Sequence, residues 1–417
     1  MSRPNLASLW LGKAVRFASR IRGNGSAIPG YIVERVNPGF IKFLSDLPRG
    51  VVVISGTNGK TTTTKIVTEL LESAGLRVFT NDTGSNFVRG VISAAIPKVS
   101  MTGKFPYDIA VLELDEAHAL KFVEQVKPTY SLLLNVARDQ IDRFTDIEDV
   151  AKLLRALADA TIKTVILNRE DSRLAHIKVA DARYFGLSDK LRAKFPRENS
   201  VVKNTTHARA LEISKKHTAP VILAEYKDNL AEYHVGNKIL RAKLKLKGIY
   251  NAYNAAAALA LVHAILPDHH LVEFSKALSS VESAWGRGEE FELDGKQIEI
   301  FLIKNPAAFQ LTIDSFVEPG YLYMIAINDA YADGRDITWL DTVDYSKLKS
   351  VAITSGSRAD DMTQYLENDG VKTGYINPNL NEAFAEFLQQ PDAKLRIFAS
   401  YTAMLELRKI IKGKSLA

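Results

Sequence analysis

The stretch that decides the fold is Val51-Val52-Val53-Ile54-Ser55-Gly56-Thr57-Asn58-Gly59-Lys60-Thr61-Thr62. The apolar run 51–54 predicts a buried strand, and the apolar residues beyond Thr62 recur at helical spacing until Gly75, a suitable C-cap. A glycine-containing loop between a strand and a helix presents backbone N–H groups and a helix N-terminus, which together hold phosphate. The stretch therefore predicts a phosphate-binding loop in an α/β domain.

Each residue type in this loop suits a nucleotide. Gly56 and Gly59 allow backbone geometry that a Cβ would hinder. We expect Lys60, at an exposed loop–helix junction, to neutralise the β and γ phosphates, and the Thr61 hydroxyl to bind the Mg²⁺ that bridges them. The spacing departs from the Walker A motif, because Ile54 stands where that motif has its first glycine. The structural alternative is a glycine turn before a helix that carries a solvated lysine.

Strand and helix patterns alternate along the rest of the chain. Strands are predicted at 77–80, 109–112, 130–134, 164–167, 221–224, 298–303, 321–327, 350–354 and 396–400, and further helices at 251–266, 360–366 and 382–388. This alternation favours a mostly parallel sheet. The chain changes character at 283–290, which predicts a boundary between two α/β units. Residues 190–245 are expected to form an insertion or subdomain on the central sheet.

The first predicted helix carries an apolar stripe made of Leu6, Trp10, Ala14, Phe17 and Ile21. Four basic residues between positions 13 and 22 surround the stripe with positive charge. Two interpretations stay open. The segment is either a helix packed on the protein body or a basic amphipathic helix that rests on an anionic membrane surface.

Composition excludes several classes of protein. The 417 residues include 54 Lys and Arg against 48 Asp and Glu, a formal charge of +6 without the clustered charge of a dedicated nucleic-acid binder. The absence of cysteine excludes disulfides, a cysteine-ligated zinc site and a thiol nucleophile within the chain. No apolar run approaches the ~20 residues that span a bilayer, so we expect a cytoplasmic protein.

The Gly-Thr-Asn-Gly-Lys-Thr form of the loop resembles the Mur ligase family, and four later segments support that resemblance. They are Leu112-Glu113-Leu114-Asp115-Glu116, Asn135-Val136-Ala137-Arg138-Asp139-Gln140-Ile141-Asp142-Arg143, Gly248-Ile249-Tyr250-Asn251-Ala252-Tyr253-Asn254-Ala255-Ala256 and Gly286-Arg287-Gly288-Glu289. Each alone could be a solvated strand end or a helix cap. The resemblance implies an α/β protein with a helical segment at 1–48, a Mur ligase-like ATP-binding domain with a mostly parallel sheet at 49–284, and a smaller Rossmann-like α/β domain at 285–417.

Segments near the C-terminus resemble the MurT branch of this family. They are Lys304-Asn305-Pro306-Ala307-Ala308-Phe309, Ala332-Asp333-Gly334-Arg335-Asp336-Ile337-Thr338-Trp339 and Thr354-Ser355-Gly356-Ser357-Arg358-Ala359. Gln140 also fits that branch, where most Mur ligases have His. Three features depart from it, the first being Ala308 where the branch usually has Gly. The chain lacks the four cysteines that form a zinc ribbon in many members, and Asp341 stands one place before the usual acid.

The resemblance implies an ATP-dependent ligase. It would phosphorylate the α-carboxylate of D-glutamate in lipid II, and ammonia would attack the acyl phosphate to give D-isoglutamine. ATP would be held by Asn251 and the loop, Mg²⁺ by Thr61 and Glu113, and the transferring phosphoryl group by Lys60 and Arg287. The loop residues implied are Gly56, Thr57, Asn58, Gly59, Lys60, Thr61 and Thr62. No zinc is expected.

An ammonia-using enzyme without cysteine implies a partner, because releasing ammonia from glutamine by this route needs a thiolate. The resemblance implies a GatD-like glutaminase that lacks its own third acid. We expect Asp336, ahead of Asp333 and the weaker Asp341, to orient the partner's catalytic histidine. Alternatively, these acids pair with Arg335 and shape a turn. Lipid II as substrate would bring the protein to the inner face of the cell membrane.

Two other functions stay open at this stage. One is an amino-acid-adding Mur or folylpolyglutamate-type ligase, which would use an amino acid in place of ammonia. The other is a nucleotide-binding scaffold without catalysis, although Lys60 and Glu113 are both present.

Overall fold

The computed structural model describes residues 4–21, 28–81, 87–137, 147–192, 217–282, 287–391 and 394–415. Nine strands form the first sheet: β1 (Val51–Ser55), β2 (Val78–Thr80), β3 (Ile109–Glu113), β4 (Tyr130–Leu133), β5 (Thr164–Asn168), β6 (Ala182–Leu187), β7 (Val221–Lys227), β8 (Leu230–Val235) and β9 (Lys238–Lys243). Their order is β2-β3-β1-β4-β5-β6-β7-β8-β9. The pairs from β2 to β7 are parallel, and β8 and β9 add antiparallel strands.

The position of β1 explains where a ligand can bind. β1 lies between β3 and β4, so the chain crosses from one side of β1 to the other on its way between those two strands. Such a switch in strand order opens a crevice at the carboxyl ends of parallel strands. The loop that follows β1 emerges into this crevice.

Helices cover both faces of the first sheet. They are α1 (Leu6–Ile21), α2 (Ile28–Val36), α3 (Lys60–Ser73), α4 (Val88–Lys98), α5 (Glu116–Val123), α6 (Ile147–Asp159), α7 (Ser172–Ala175), α8 (Asp189–Arg192), α9 (Ile249–Ile265) and α10 (Leu271–Ser280), with a 3₁₀ helix at Phe40–Asp46. Because side chains alternate along a strand, Val52 and Ile54 face a core shared with α3, α9 and α10, and Val51 and Val53 face a core shared with α1, α2 and α4.

Six strands form the second sheet. They are β10 (Arg287–Leu293), β11 (Lys296–Leu302), β12 (Leu322–Ala326), β13 (Ser350–Ser355), β14 (Lys372–Asn377) and β15 (Lys394–Ala399), in the order β10-β11-β15-β12-β13-β14. The β10–β11 pair is antiparallel and the other pairs are parallel. The helices of this unit are α11 (Pro306–Phe316), α12 (Ala359–Asn368), α13 (Leu380–Gln389) and α14 (Tyr401–Ser415), with a 3₁₀ helix at Thr338–Thr342.

The α/β class with mostly parallel sheets is confirmed, and each strand predicted from the sequence is found within a few residues of its expected bounds. The part of 190–245 that the structure describes from 217 onward extends the first sheet as β7, β8 and β9. The expected boundary at 283–290 lies partly outside the described residues, since the second sheet is described from Arg287.

Charged side chains join the two units close to α9. Lys247, just before that helix, donates to Glu299 at 2.9 Å and pairs with Glu290 at 2.8 Å. Burial opposes the charge of Lys247, but the hydrogen bonds to Glu290 and Glu299 outweigh it and raise the pKa of this lysine. Glu299 also accepts from the fully buried Arg396 at 2.7 Å. The segment that enters α9 is therefore fixed to the second sheet.

The helix α1 packs on the protein body, as the first of the two interpretations above has it, but not through the predicted stripe. Leu6, Trp10, Ala14 and Phe17 are exposed, so the helix does not pack through this stripe. The helix packs through its opposite side, where Leu9 is fully buried. The sequence pattern identified an apolar face but could not show whether that face packs on the protein, because the face that does pack also carries apolar residues.

Candidate active site

The loop between β1 and α3, residues 56–59, is the phosphate loop of this structure. Gly56 has a φ of +126° and Gly59 a φ of +86°, a region that side chains with a Cβ rarely adopt. A Cβ on Gly56 would lie 2.9 Å from the backbone N of Asn135, and one on Gly59 would lie 2.6 Å from Oδ1 of Asn254. Both glycines are therefore required by conformation and by space, and the loop leads directly into the N-terminus of α3.

A second loop, which follows β4, holds the phosphate loop in place. Asn135 accepts from the Asn58 N–H through its Oδ1 at 2.8 Å and donates from Nδ2 to the Asn58 carbonyl at 3.0 Å. Its own carbonyl accepts from the Thr57 N–H at 3.0 Å. Thr57 is tied in turn to Ala137, whose N–H donates to Oγ1 at 3.0 Å. These bonds preorganise the backbone that would meet a phosphate.

Lys60 curls back over this loop. Its Nζ donates to the Gly56 carbonyl at 2.5 Å and to the Thr57 carbonyl at 3.3 Å, and lies 3.7 Å from Oε2 of the buried Glu116. Lys60 is only 8% exposed, so the expectation of an exposed junction is wrong. The ammonium group is held at the mouth of the loop by carbonyl oxygens, and a phosphate could replace those oxygens as its partner.

The two residues expected to bind the metal are in contact. Thr61 donates from Oγ1 to Oε1 of Glu113 at 3.0 Å. The backbone of Glu113 is fixed by Asn81, which accepts from its N–H at 2.9 Å and donates to its carbonyl at 2.8 Å. A carboxylate and a hydroxyl are hard oxygen ligands, and Mg²⁺ in nucleotide sites commonly uses one or two carboxylates beside phosphates and water. The donor set therefore fits Mg²⁺ bound with a nucleotide.

No cluster of three or more His, Cys, Asp or Glu residues that could hold a metal occurs in the ranges that the structure describes. The donor set around Thr61 and Glu113 thus relies on oxygens from a phosphate to complete a Mg²⁺ site.

Asn251 offers an unpaired acceptor for a base. This residue is 1% exposed, and its Nδ2 donates to the Lys247 carbonyl at 2.8 Å. Its Oδ1 has no hydrogen-bond partner among the described residues, although a buried polar atom rarely stays without one. An exocyclic amino group, such as that of adenine, would satisfy this oxygen.

The second unit contributes side chains to the phosphate loop that the sequence did not assign to it. Lys304 donates from Nζ to the Thr57 carbonyl at 3.1 Å, and Asn305 donates from Nδ2 to Oδ1 of Asn58 at 3.1 Å. The Oδ1 of Asn305 accepts from the Ala308 N–H at 2.8 Å and so caps α11. Two lysines from different units thus reach one loop.

The acidic stretch after β12 lies at the carboxyl edge of the second sheet. Asp333 accepts from the Thr402 N–H through Oδ1 at 2.7 Å and from its hydroxyl through Oδ2 at 2.5 Å. Asp336 accepts from the Thr338 hydroxyl at 2.6 Å and from its N–H at 2.8 Å, both through Oδ1. These two bonds lower the pKa of Asp336 below its ordinary value, with the side-chain bond as the larger cause.

The carboxylates of Asp333 and Asp336 differ in how many of their oxygens accept hydrogen bonds. Both oxygens of Asp333 are occupied by Thr402, whereas Oδ2 of Asp336 accepts no hydrogen bond within the described ranges. Asp341 is exposed in the 3₁₀ helix at Thr338–Thr342. The side chain of Arg287 and residues 84–86, 138–143 and 286 lie outside the described residues, so Arg287 stays a prediction.

Two family models match this chain. The Mur ligase middle domain matches residues 54–262, which is half of the chain and contains the phosphate loop, Glu113 and Asn251. The chain belongs to the Mur ligase family. The MurT ligase C-terminal model matches residues 302–404 of this Mur ligase, a range that includes Lys304, Asp333 and Asp336.

Curated relatives extend the similarity along the whole Mur ligase chain. It is 26% identical to the lipid II isoglutaminyl synthase (glutamine-hydrolyzing) subunit MurT of Streptococcus pneumoniae, over 100% of this chain and 99% of that protein. It is 28% identical to the subunit of the same name from Staphylococcus aureus, over 86% of this chain and 87% of that protein. The similarity to the solved MurF ligase of Thermotoga maritima in complex with ADP has a TM-score of 0.65. That match, at 16% identity over 89% of this chain and 81% of the other, shows the fold alone.

Proposed function

We propose that this Mur ligase amidates the α-carboxylate of D-glutamate in lipid II, giving D-isoglutamine at the expense of ATP. The observation that carries the proposal is the combination, in one chain, of a complete phosphate loop with its Thr61–Glu113 pair and a C-terminal unit of the MurT type. The near full-length similarity to two MurT subunits supports the same reaction.

The reaction has two steps. In the first, an oxygen of the substrate carboxylate attacks the γ-phosphorus of ATP, the bond to the β–γ bridging oxygen breaks, and ADP leaves. In the second, the nitrogen of ammonia attacks the acyl carbon, inorganic phosphate leaves, and the nitrogen loses a proton. Activation is needed because an unmodified carboxylate has no adequate leaving group.

Residues of this chain would supply positioning and charge. Lys60 and Lys304 would offset negative charge on the phosphates, and the N–H groups at the start of α3 would bind phosphate oxygens. Thr61 and Glu113 would hold Mg²⁺, which would neutralise phosphate charge when bound. Asn251 would accept from the adenine amino group.

Ammonia would come from a GatD-like glutaminase subunit. The chain has no cysteine, so the thiolate that attacks glutamine must belong to another polypeptide. We propose that Asp336 reaches that subunit and orients its catalytic histidine. The free Oδ2 of Asp336 supports this residue over Asp333, whose two oxygens both bind Thr402.

Mass spectrometry of lipid II tests the proposed reaction. After incubation with ATP, Mg²⁺ and ammonium, the mass of lipid II should fall by about one dalton, because amidation replaces OH with NH₂. The change should not occur without ATP, because the carboxylate is activated by phosphoryl transfer. The free α-carboxylate of D-glutamate should disappear in fragment spectra. A mass gain that corresponds to an added amino acid would favour the amino-acid-adding alternative, and ATP consumption without any change in lipid II would contradict the proposal.

A further inference from the structure

One exposed side of α1 is apolar from Leu6 to Ala18. The α1 face, as we call it, consists of exposed side chains at helical spacing: Leu6, Ala7, Trp10, Leu11, Ala14, Phe17 and Ala18. Trp10 is 52% exposed and Phe17 is 70% exposed. Single exposed apolar residues are normal on a protein surface, but a continuous helix face of this kind marks an interaction site.

The helix that carries this face is firmly attached. Asn5 caps its N-terminus by accepting from the Ser8 N–H at 3.0 Å. On the packed side, a Cβ on Gly12 would lie 2.7 Å from Ile96 of α4 and 2.8 Å from Val33 of α2, so the three helices are in close contact. The α1 face is therefore presented on a fixed element.

The neighbouring surface extends the apolar character of the α1 face. Trp10 donates from Nε1 to the carbonyl of Met101 at 3.3 Å, and Met101 is itself strongly exposed. On α2, Tyr31 is also exposed and receives a hydrogen bond from Arg35 at 3.2 Å.

Positive charge around the α1 face favours an anionic partner. Helix α1 contains Lys13, Arg16 and Arg20 and no Asp or Glu, and Arg20 is exposed at the end of the helix. Exposed Lys98 and Lys104 flank Met101 at three positions on either side. A second copy of this chain would bring like charges together, whereas anionic lipid headgroups would complement them.

We propose that the α1 face inserts into the interfacial layer of an anionic membrane and holds the enzyme at that surface. The aromatic side chains Trp10 and Phe17 would enter the boundary between headgroups and acyl chains, and the basic residues would meet the headgroups. None of the helices in the described ranges is long and apolar enough to cross a membrane, so the contact would be peripheral. The proposal rests on the proposed function for its purpose, because lipid II is a membrane lipid.

Vesicle flotation with the purified full chain tests the proposal without lipid II. The vesicles contain either phosphatidylglycerol and phosphatidylcholine at about 3:7, a composition that gives an anionic surface, or phosphatidylcholine alone. Trp10→Ser with Phe17→Ser should lower partitioning onto anionic vesicles by about tenfold or more, and Arg20→Glu should lower it by about threefold or more at low salt. The wild-type chain should bind the neutral vesicles more weakly.

The helix α10 offers matched controls, because it packs on the core of the opposite face of the first sheet. Val272 is 69% exposed there and Lys276 is exposed on the same helix. Val272→Ser and Lys276→Glu should leave vesicle binding unchanged. Equal losses in the α10 and α1 variants would overturn the proposal, as would wild-type binding to neither kind of vesicle.

Two further measurements separate the other outcomes. If sedimentation shows a wild-type dimer that Trp10→Ser with Phe17→Ser converts to a monomer, the face binds a second copy and the membrane proposal fails. Ammonia-driven amidation of a soluble short-chain lipid II analogue should be equal in wild type and in this double variant. If neither protein amidates the analogue while wild type still binds anionic vesicles, the proposed function is rejected and the membrane contact is kept.

Discussion

At the residue scale, Lys60 is the clearest test of the phosphate loop. Lys60→Met keeps an apolar stem in the buried site but removes the charge near Glu116 and the two loop carbonyls. We expect amidation at saturating ATP to fall about a hundredfold or more, because the charge that stabilises the transferring phosphoryl group is lost. Product is measured by mass spectrometry, and Lys65→Met on the same helix is the control. Unchanged turnover in Lys60→Met would contradict the role of Lys60 in phosphoryl transfer.

The Thr61–Glu113 contact predicts a metal phenotype. Glu113→Gln keeps an acceptor for the Thr61 hydroxyl but removes the negative charge. We expect the Mg²⁺ concentration for half-maximal activity to rise by about tenfold or more, because a neutral amide is a poorer Mg²⁺ ligand than a carboxylate. Glu124→Gln, on an exposed position after α5, is the control. The same Mg²⁺ dependence in Glu113→Gln as in wild type would remove this residue from the site.

At the scale of elements, Asp108 joins the starts of β2 and β3. It accepts from the Arg77 side chain at 2.7 and 3.0 Å and from the Arg77 N–H at 2.8 Å. Hydrogen bonds from the Arg77 side chain, then from its backbone, lower the pKa of Asp108 to about 2 from 3.8. Because the folded-state pKa is the lower one, the stabilisation is present above about pH 4 and is lost as the pH falls through 2.

Asp108→Asn should therefore destabilise the protein by about 1 kcal/mol at pH 7, a value reduced for the exposure of the ion pair, and by much less near pH 2. Denaturant unfolding at both pH values measures the difference. Asp159→Asn, which breaks a longer and more exposed pair with Arg155 at 3.9 Å, should have little effect at either pH. A pH-independent loss in Asp108→Asn would mean that packing, not charge, fixes these strands.

The sequence predicted elements well where one pattern dominated. The run 51–54 is buried on both faces and reads as a strand, and the alternation of strands and helices required a mostly parallel sheet. Five strands, β6, β8, β9, β10 and β14, were not predicted. β9 and β14 lie at sheet edges and carry many exposed residues, which leaves a weak apolar pattern. On the side of α1 that packs, Gly12 allows close approach to α2 and α4 and Leu9 is fully buried, so the exposed stripe was the more conspicuous pattern.

At the scale of the whole molecule, contacts between residues far apart in the chain could not be predicted from the sequence. Asn81 supports Glu113 only because β2 and β3 are neighbours in the sheet, an order that local patterns do not contain. Lys304 reaches Thr57 across almost 250 positions, because the second unit docks on the phosphate loop. The chemistry of the loop was predictable from its own residues, but the groups that fix and complete it depend on topology and docking.

The last prediction concerns the complex with a partner glutaminase. Asp333 and Asp336 lie three positions apart, yet Asp333 holds the start of α14 through Thr402, whereas Asp336 keeps one oxygen free. If Asp336 orients the partner's histidine, Asp336→Asn should lose glutamine-dependent amidation by about a thousandfold or more and keep the activity driven by added ammonia.

Asp333→Asn is the matched control for that experiment. It should lower both activities to a similar extent, because weakening the Thr402 contact disturbs the fold around the edge of the sheet and not the ammonia supply. Amidation of lipid II is measured with glutamine or with ammonium for each variant, in the presence of the partner. If Asp336→Asn keeps both activities, or loses both in parallel with Asp333→Asn, the carboxylate serves its own turn through Thr338 and the shared site must be sought elsewhere.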